Sequence, residues 1–194
     1  MASQRLRDYA RSAVLRCFAL GRHSRKINLL AVHMEPISAE AVEKTWKRVA
    51  SLSLRGAPKL IQRMTKEQPV VLAYLLAVDH DTFNDDERQL LLYVGVVVWQ
   101  IMSQGVQPLT MVSEAVLDAA ERNNVKMAEY LQGETEEGLL QATRVMISNY
   151  NQPEVLKYVV EAIMEEPEEG CVIRDENRGI MLLDLKTVID CFDV

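Results

Sequence analysis

The fold is decided by the stretch LLLYVGVVVWQIM, which runs from Leu90 to Met102 and is interrupted by only one Gly and one Gln. The preceding letters NDDERQ predict a helix that is capped by Asn84 or Asp85 and carries acidic side chains in its first turn, where the helix dipole favours them. A helix that is apolar on every side has to be covered on every side. Because a transmembrane helix needs about 20 apolar residues, we expect this one at the centre of a bundle and no transmembrane segment.

The composition extends this expectation to the whole chain. Of the 194 residues, 48% are hydrophobic and 26% are charged, as in an ordinary globular protein, and only eight are Gly and six are Pro. The abundant Leu, Val, Ala, Glu and Met favour helix over strand. We therefore expect residues 1–194 to form a single all-α domain, a compact bundle of about eight to ten helices.

Local signals predict where several of these helices begin and end. Ser38 is a typical N-cap for the helix that follows it. Pro69 fits the first turn of a later apolar helix, so that helix should begin near Glu67 or Gln68. The pair Asn123 and Asn124 predicts a break between two later helices. The last stretch, DENRGIMLLDLKTVIDCF, keeps a helical apolar stripe to its end.

Charge is distributed unevenly along the chain. The net charge is -6, yet residues 1–30 hold seven of the 22 basic residues and only one of the 28 acidic ones. The strongly acidic remainder would repel phosphates, so no nucleic acid is expected as a general partner. The basic segment predicts an amphipathic helix docked on the core. A mitochondrial presequence and a recognition surface for a partner or a membrane remain open, with candidate binding residues Arg5, Arg7, Arg11 and Arg16.

An internal repeat is the most specific pattern in the chain. The sequence Q-P-x-V-L-x-Y occurs at Gln68 and again at Gln152, and each copy is followed by an acidic connector and a second helix. We interpret the chain as two diverged helical hairpins, near residues 57–104 and 136–192, with the intervening helices as a bridge. The last helix has polar residues where the first copy is apolar, so the first copy is expected to be central and the last helix to keep an exposed side.

Residues that could carry chemistry are few. Asp79, His80 and Asp81 are weak candidates for a metal site, but the calcium-loop pattern fails here and a solvated turn is the preferred interpretation. We identify no catalytic residues and no cofactor-binding pattern, so neither a metal nor another cofactor is expected. The three cysteines have neither disulfide nor zinc spacing, which favours a reducing, cytoplasmic location.

Two functional hypotheses arise from this sequence. The first is a non-enzymatic protein-interaction module, such as an adaptor, regulator or chaperone-like subunit, with a protein partner and room for homo-oligomers. The alternative is a helical protein that binds a small molecule or lipid in an apolar pocket near Gly95, with or without enzymatic activity. Gly95 itself is more simply explained by the close approach of a crossing helix.

The basic first segment gives a testable contrast. Replacing Val14 and Phe18 by Ser is expected to lower the melting temperature, because apolar burial supplies most of the anchoring of a docked helix. Replacing Arg7 and Arg11 by Gln should leave stability nearly unchanged, since an exposed ion pair contributes about 0–1 kcal/mol. Thermal unfolding measures both, and the opposite pattern, with loss of binding to anionic vesicles or a partner, would identify a recognition arm.

Overall fold

The computed structural model describes residues 34–52, 56–79, 81–133, 138, 145–166 and 169–194. Regular structure within these ranges is helical and contains no strand, which confirms the all-α prediction. Residues 145–149 are helical as well. The helices with defined bounds in the described part of the chain are α1 (Ala39–Ala50), α2 (Gly56–Glu67), α3 (Pro69–Ala77), α4 (Asp85–Met102), α5 (Glu114–Gly133), α6 (Pro153–Met164) and α7 (Asp175–Phe192).

The predicted helix starts are confirmed. The Ser38 hydroxyl accepts a hydrogen bond from the backbone N–H of Ala41 at 3.3 Å, which caps α1. Pro69 occupies the first turn of α3 with Gln68 at the N-cap position. Asn84 caps α4 through a capping box, in which its side chain accepts from the Glu87 N–H while the Glu87 carboxylate accepts from the Asn84 N–H. Both orphan donors at this helix end are therefore satisfied.

Helix α4 lies at the centre of the bundle, as predicted. It contacts α1, α3, α6 and α7, and every residue from Val94 to Met102 is buried. Gly95 lies against α3, where a Cβ atom would be 2.5 Å from Cδ1 of Leu75. Carbon atoms in contact are about 3.5–4.0 Å apart, so only Gly allows this close approach of the two helices. The crossing-helix explanation of Gly95 is thereby confirmed.

The predicted exposed side of the last helix is wrong. We expected it from four polar residues of α7, but Asp184 and Thr187 are 6% and 1% exposed. Helix α5 packs over this face, and distant side chains supply hydrogen bonds to it. The Tyr74 hydroxyl donates to Asp184 Oδ1 at 3.2 Å, and Asn124 Nδ2 donates to Thr187 Oγ1 at 3.0 Å. Residues Lys186 and Asp190, the other two, form an ion pair with side chains 20% and 25% exposed.

The predicted break at Asn123 and Asn124 is also wrong, because α5 runs through both residues. The Asn124 side chain is buried and donates to Asp190 Oδ2 at 2.8 Å, in addition to its bond to Thr187. Its Oδ1 accepts from Lys186 Nζ at 2.8 Å. The helix propensity of Asn is about 0.7 kcal/mol poorer than that of Ala. Several buried hydrogen bonds at about 1 kcal/mol each outweigh that penalty.

A buried carboxylate joins the starts of α4 and α7. The Glu87 side chain is 0% exposed. Its Oε1 accepts from the Arg174 backbone N–H at 2.9 Å and from Arg174 Nε at 3.1 Å. Its Oε2 accepts from Arg174 Nη2 at 2.6 Å, from Asn177 Nδ2 at 2.9 Å and from the Asn84 N–H at 2.9 Å. Burial alone would raise the pKa of Glu87, but these hydrogen bonds outweigh it and lower the pKa to about 2.

Burial of the central helix predicts that Val97→Asp lowers the free energy of unfolding by about 4 kcal/mol or more, because it places an unpaired charge in an apolar core. Gln89→Asp is the control on the same helix, since residue 89 is exposed. Denaturant unfolding of both variants measures the difference. Equal losses would show that α4 is not the centre of the core.

The Glu87 cluster predicts a specific dependence on pH. A carboxyl group whose pKa falls from about 4.5 to about 2 on folding stabilises the protein fully above pH 4.5 and loses this contribution as the pH falls towards 2. Glu87→Gln should therefore lower the melting temperature at neutral pH, and its difference from the wild type should shrink between pH 4.5 and pH 2. The control is Glu43→Gln at an exposed ion pair, which should have little effect at any pH.

Candidate functional site

A cavity of about 240 Å³ lies between α3, α5 and α7. Among the described residues, its lining holds three acids, apolar side chains and two hydroxyl groups but no Lys or Arg. These residues are Tyr74, Val78, Asp79, Glu121, Val125, Ile180, Leu183, Asp184 and Thr187. A single water needs only about 15 Å³, so the cavity can hold a small organic molecule. Its lining combines negative charge with an apolar wall.

Asp184 is the residue that distinguishes this cavity. Its Oδ1 accepts the hydrogen bond from Tyr74, whereas its buried Oδ2 has no hydrogen-bond partner among the described residues. Burial raises the pKa of Asp184 well above its ordinary value, and the negative charge of Asp79 raises it further. Burial likewise raises the pKa of the Tyr74 hydroxyl, and the charge of Asp184 raises it further. An unpartnered buried carboxylate oxygen is rare and energetically costly, so it marks a place where a ligand could supply the missing partner.

The other two acids come from different helices. Asp79 follows α3 and has a left-handed backbone conformation, with φ of 46°. Its carbonyl accepts from the N–H groups of Thr82 and Phe83 at 2.8 and 3.0 Å, which holds this tight turn at the cavity. Its side chain is exposed, whereas that of Glu121 on α5 is half-buried. The acids therefore range from the buried Asp184 to the exposed Asp79.

A second polar cluster neighbours the cavity on α7, and its groups are engaged with one another. Lys186 Nζ donates to Asp190 Oδ2 at 2.7 Å and lies 4.9 Å from the ring centre of Tyr150. The Tyr150 hydroxyl donates to Asp190 Oδ1 at 2.8 Å. The ammonium of Lys186 is thus committed to this cluster and to Asn124. It does not supply the missing partner of Asp184 Oδ2.

The residues that the sequence proposed fall in different places. Asp79 lines the cavity. Within the described ranges, however, neither Asp79 nor Asp81 belongs to a group of three or more potential metal ligands. His80 and the candidate binding residues Arg5, Arg7, Arg11 and Arg16 lie outside the described residues. Leu75 fills the space beside Gly95, which does not line the cavity.

Sequence reasoning missed Asp184, Glu121 and Tyr74 as site residues. Asp184 did carry a signal, because it interrupts an apolar helix where the matching residue of the first copy is Val94. An acidic residue in such a stripe is either an exposed edge or a functional group, and local periodicity does not distinguish the two. Glu121 and Tyr74 carried none beyond ordinary helical spacing.

Fold and site together define a helical protein with an acid-lined cavity. Comparison with models of known protein families, with curated proteins and with solved structures finds no match. Among the helices of the described ranges, none has the length and apolar character to cross a membrane. Three of the described residues that line the cavity are acids, so its lining can attract positive charge.

Proposed function

We propose that this protein binds a small organic cation, an aliphatic amine with two ammonium groups, in the cavity between α3, α5 and α7. The observation that carries the proposal is the buried Asp184 carboxylate, whose Oδ2 lacks a hydrogen-bond partner in the described part of the chain. One ammonium group would donate to this oxygen and relieve the unfavourable burial of the carboxylate. The function is binding without catalysis.

The charges and shape of the cavity support a diamine. Asp184 lies inside while Asp79 is exposed, so the carboxylates follow the direction from the interior to the solvent. A methylene chain between two ammonium groups would pack along Val78, Ile180 and Leu183, and its second ammonium group would lie near the outer acids. A volume of about 240 Å³ matches a ligand of this size rather than a bulky metabolite.

The protein-interaction module remains a second proposal. Its support is charge complementarity between the basic segment of residues 1–30 and the acidic remainder of the chain, or an acidic partner. A protein partner, homo-oligomers and a cytoplasmic location belong to this proposal. Replacing Arg7 and Arg11 by Gln tests it, since this variant should lose a protein partner that co-purifies with the wild type. A wild-type protein that co-purifies with no partner would contradict it.

Calorimetric titration and thermal shift with putrescine test the proposed ligand class. Putrescine should raise the melting temperature as its concentration increases, and butylamine should do so less at equal ionic strength. Affinity should rise with pH, because burial raises the pKa of Asp184 and the bound form needs its ionised carboxylate. Asp184→Asn should abolish binding without loss of stability, since it removes a buried acidic group whose Oδ2 is unpartnered.

The matched control is Asp118→Asn, which alters an exposed acid on α5, the helix that carries Glu121. This variant should bind putrescine like the wild type. Equal binding by wild type and Asp184→Asn would contradict the proposal, as would the lack of any shift with putrescine. A shift with Mg²⁺ alone would identify a metal site instead.

A further inference from the structure

Two buried glutamines make the same unusual pair of contacts. Gln68, 1% exposed, precedes the proline that begins α3. Its Oε1 accepts from the Val112 N–H at 3.0 Å, and its Nε2 donates to the Thr110 carbonyl at 2.9 Å. The amide thus holds two alternate residues of the segment that enters α5. Such a contact pairs an amide side chain with an extended backbone as a neighbouring strand would.

Gln152, 0% exposed, precedes the proline that begins α6 and repeats this arrangement. Its Oε1 accepts from the Ile37 N–H at 3.0 Å. Its Nε2 donates to Asp193 Oδ1 at 2.7 Å and lies 3.4 and 3.5 Å from the carbonyl oxygens of Met34 and Glu35. Here the clamped segment is the one that enters α1. Gln68, in the first half of the chain, therefore holds the segment that enters α5 in the second half. Gln152, in the second half, holds the segment that enters α1 in the first half.

The two clamped segments lead into helices that have the same kind of cap. Ser38 begins α1 by accepting from the N–H of the residue three positions later at 3.3 Å, and Ser113 before α5 does the same at 3.4 Å. The two serines are 75 positions apart, and Gln68 and Gln152 are 84 apart. Most of this difference lies in the helices themselves, since α5 has 20 residues and α1 has 12.

The starts of α4 and α7 show the same reciprocity at an offset of 90 positions. An ion pair joins Asp85 to Arg88 in α4, and another joins Asp175 to Arg178 in α7. Two cross-contacts are likewise paired: Asn84 Nδ2 donates to the Val172 carbonyl, and Arg174 Nη2 donates to the Thr82 carbonyl. The two residues at the third helical position, Glu87 and Asn177, touch each other directly.

The packing of the helices shows the same correspondence. Helix α1 packs on α4 as α5 packs on α7, and α3 packs on α4 as α6 packs on α7. Across the halves, α3 packs on α5 and α6 packs on α1. Contacts in which i meets j while j meets i are the signature of a twofold interface.

From these reciprocal contacts we propose that residues 34–102 and 109–192 are two copies of one helical unit related by a pseudo-twofold axis near Glu87 and Asn177, and that the acid-lined cavity is one of two equivalent positions. These units are longer than the hairpins expected from the sequence, because each includes the helix after its clamped segment. In the second position, the offset of 90 puts Val94 in place of Asp184, and the offset of 75 puts Trp46 in place of Glu121.

Apolar and aromatic side chains occupy the second position, which we call the closed position because they replace the inner acids. Tyr158 occupies the place of Tyr74, and Tyr93 occupies the place of Leu183. Both tyrosines lie close enough that the charge of one acts on the other. Val94 is 0% exposed, and Trp46 packs against the core. The chain is therefore expected to bind one cation, since Val94 and Trp46 supply no carboxylate in place of Asp184 and Glu121.

The closed position specifies how the cavity can be filled. Asp184→Val combined with Glu121→Trp introduces, at the equivalent positions, the residues that the closed position has at Val94 and Trp46. The melting temperature of this double variant should exceed that of Asp184→Val by about 2–4 °C, the shift for roughly 1 kcal/mol in a chain of this size. The control is Asp184→Val with Val125→Trp, one turn further along α5, where the other copy has Ala50.

A double variant that is no more stable than Asp184→Val, or a control that gains as much, would overturn the proposed equivalence. A crystal structure of the double variant adds a direct measurement, in which superposition of the two units should lay the introduced indole on Trp46. The number of bound cations rests on the proposed function, whereas the melting temperatures and the superposition do not. Failure of one proposal is thus distinguishable from failure of the other.

Discussion

The buried carboxylate of Glu87 is the interaction on which the relative placement of α4 and α7 depends. Apolar contacts between these helices are strong in sum but have no direction, so they tolerate sliding of one helix along the other. A carboxylate that is 0% exposed tolerates very little, because each lost hydrogen bond leaves a charge buried without compensation. Donors from Arg174 and Asn177 therefore fix the register between α4 and α7.

Glu87 and Asp184 are two buried acids with opposite environments. The first is surrounded by donors and remains ionised down to low pH, whereas the second shares one hydroxyl and leaves an oxygen unpartnered. Packing alone would favour an apolar residue at position 184, as the chain has at Val94. Retaining an acid there lowers stability and keeps a group ready for a positively charged ligand. Stability and binding capacity are thus separated between two carboxylates on different helices.

The predictable parts of this structure are those in which neighbouring residues carry the physical cause. The Ser38 cap, the start of α3 at Pro69 and the buried α4 each result from interactions within a few positions. Asp184 and Asn124 were misjudged because their burial depends on partners 110 and 63 positions away. A polar residue is predicted to be exposed unless its hydrogen-bond partner is known. Helical periodicity carries no information about such distant partners. The cavity, which three separate helices enclose, was hidden for the same reason.

The glutamine clamps have a consequence for how the chain folds. Ile37 is held by Gln152, which lies 115 positions later, so the entry to the first described helix acquires its partner only when nearly the whole chain is available. During synthesis at roughly 5–20 residues per second, this segment waits for several seconds with its apolar neighbours uncovered. Contacts of such long sequence separation slow folding, because the entropy of closing the loop is lost before the contact is gained. Residues that emerge from the ribosome well after α1 therefore complete the packing of its entry segment.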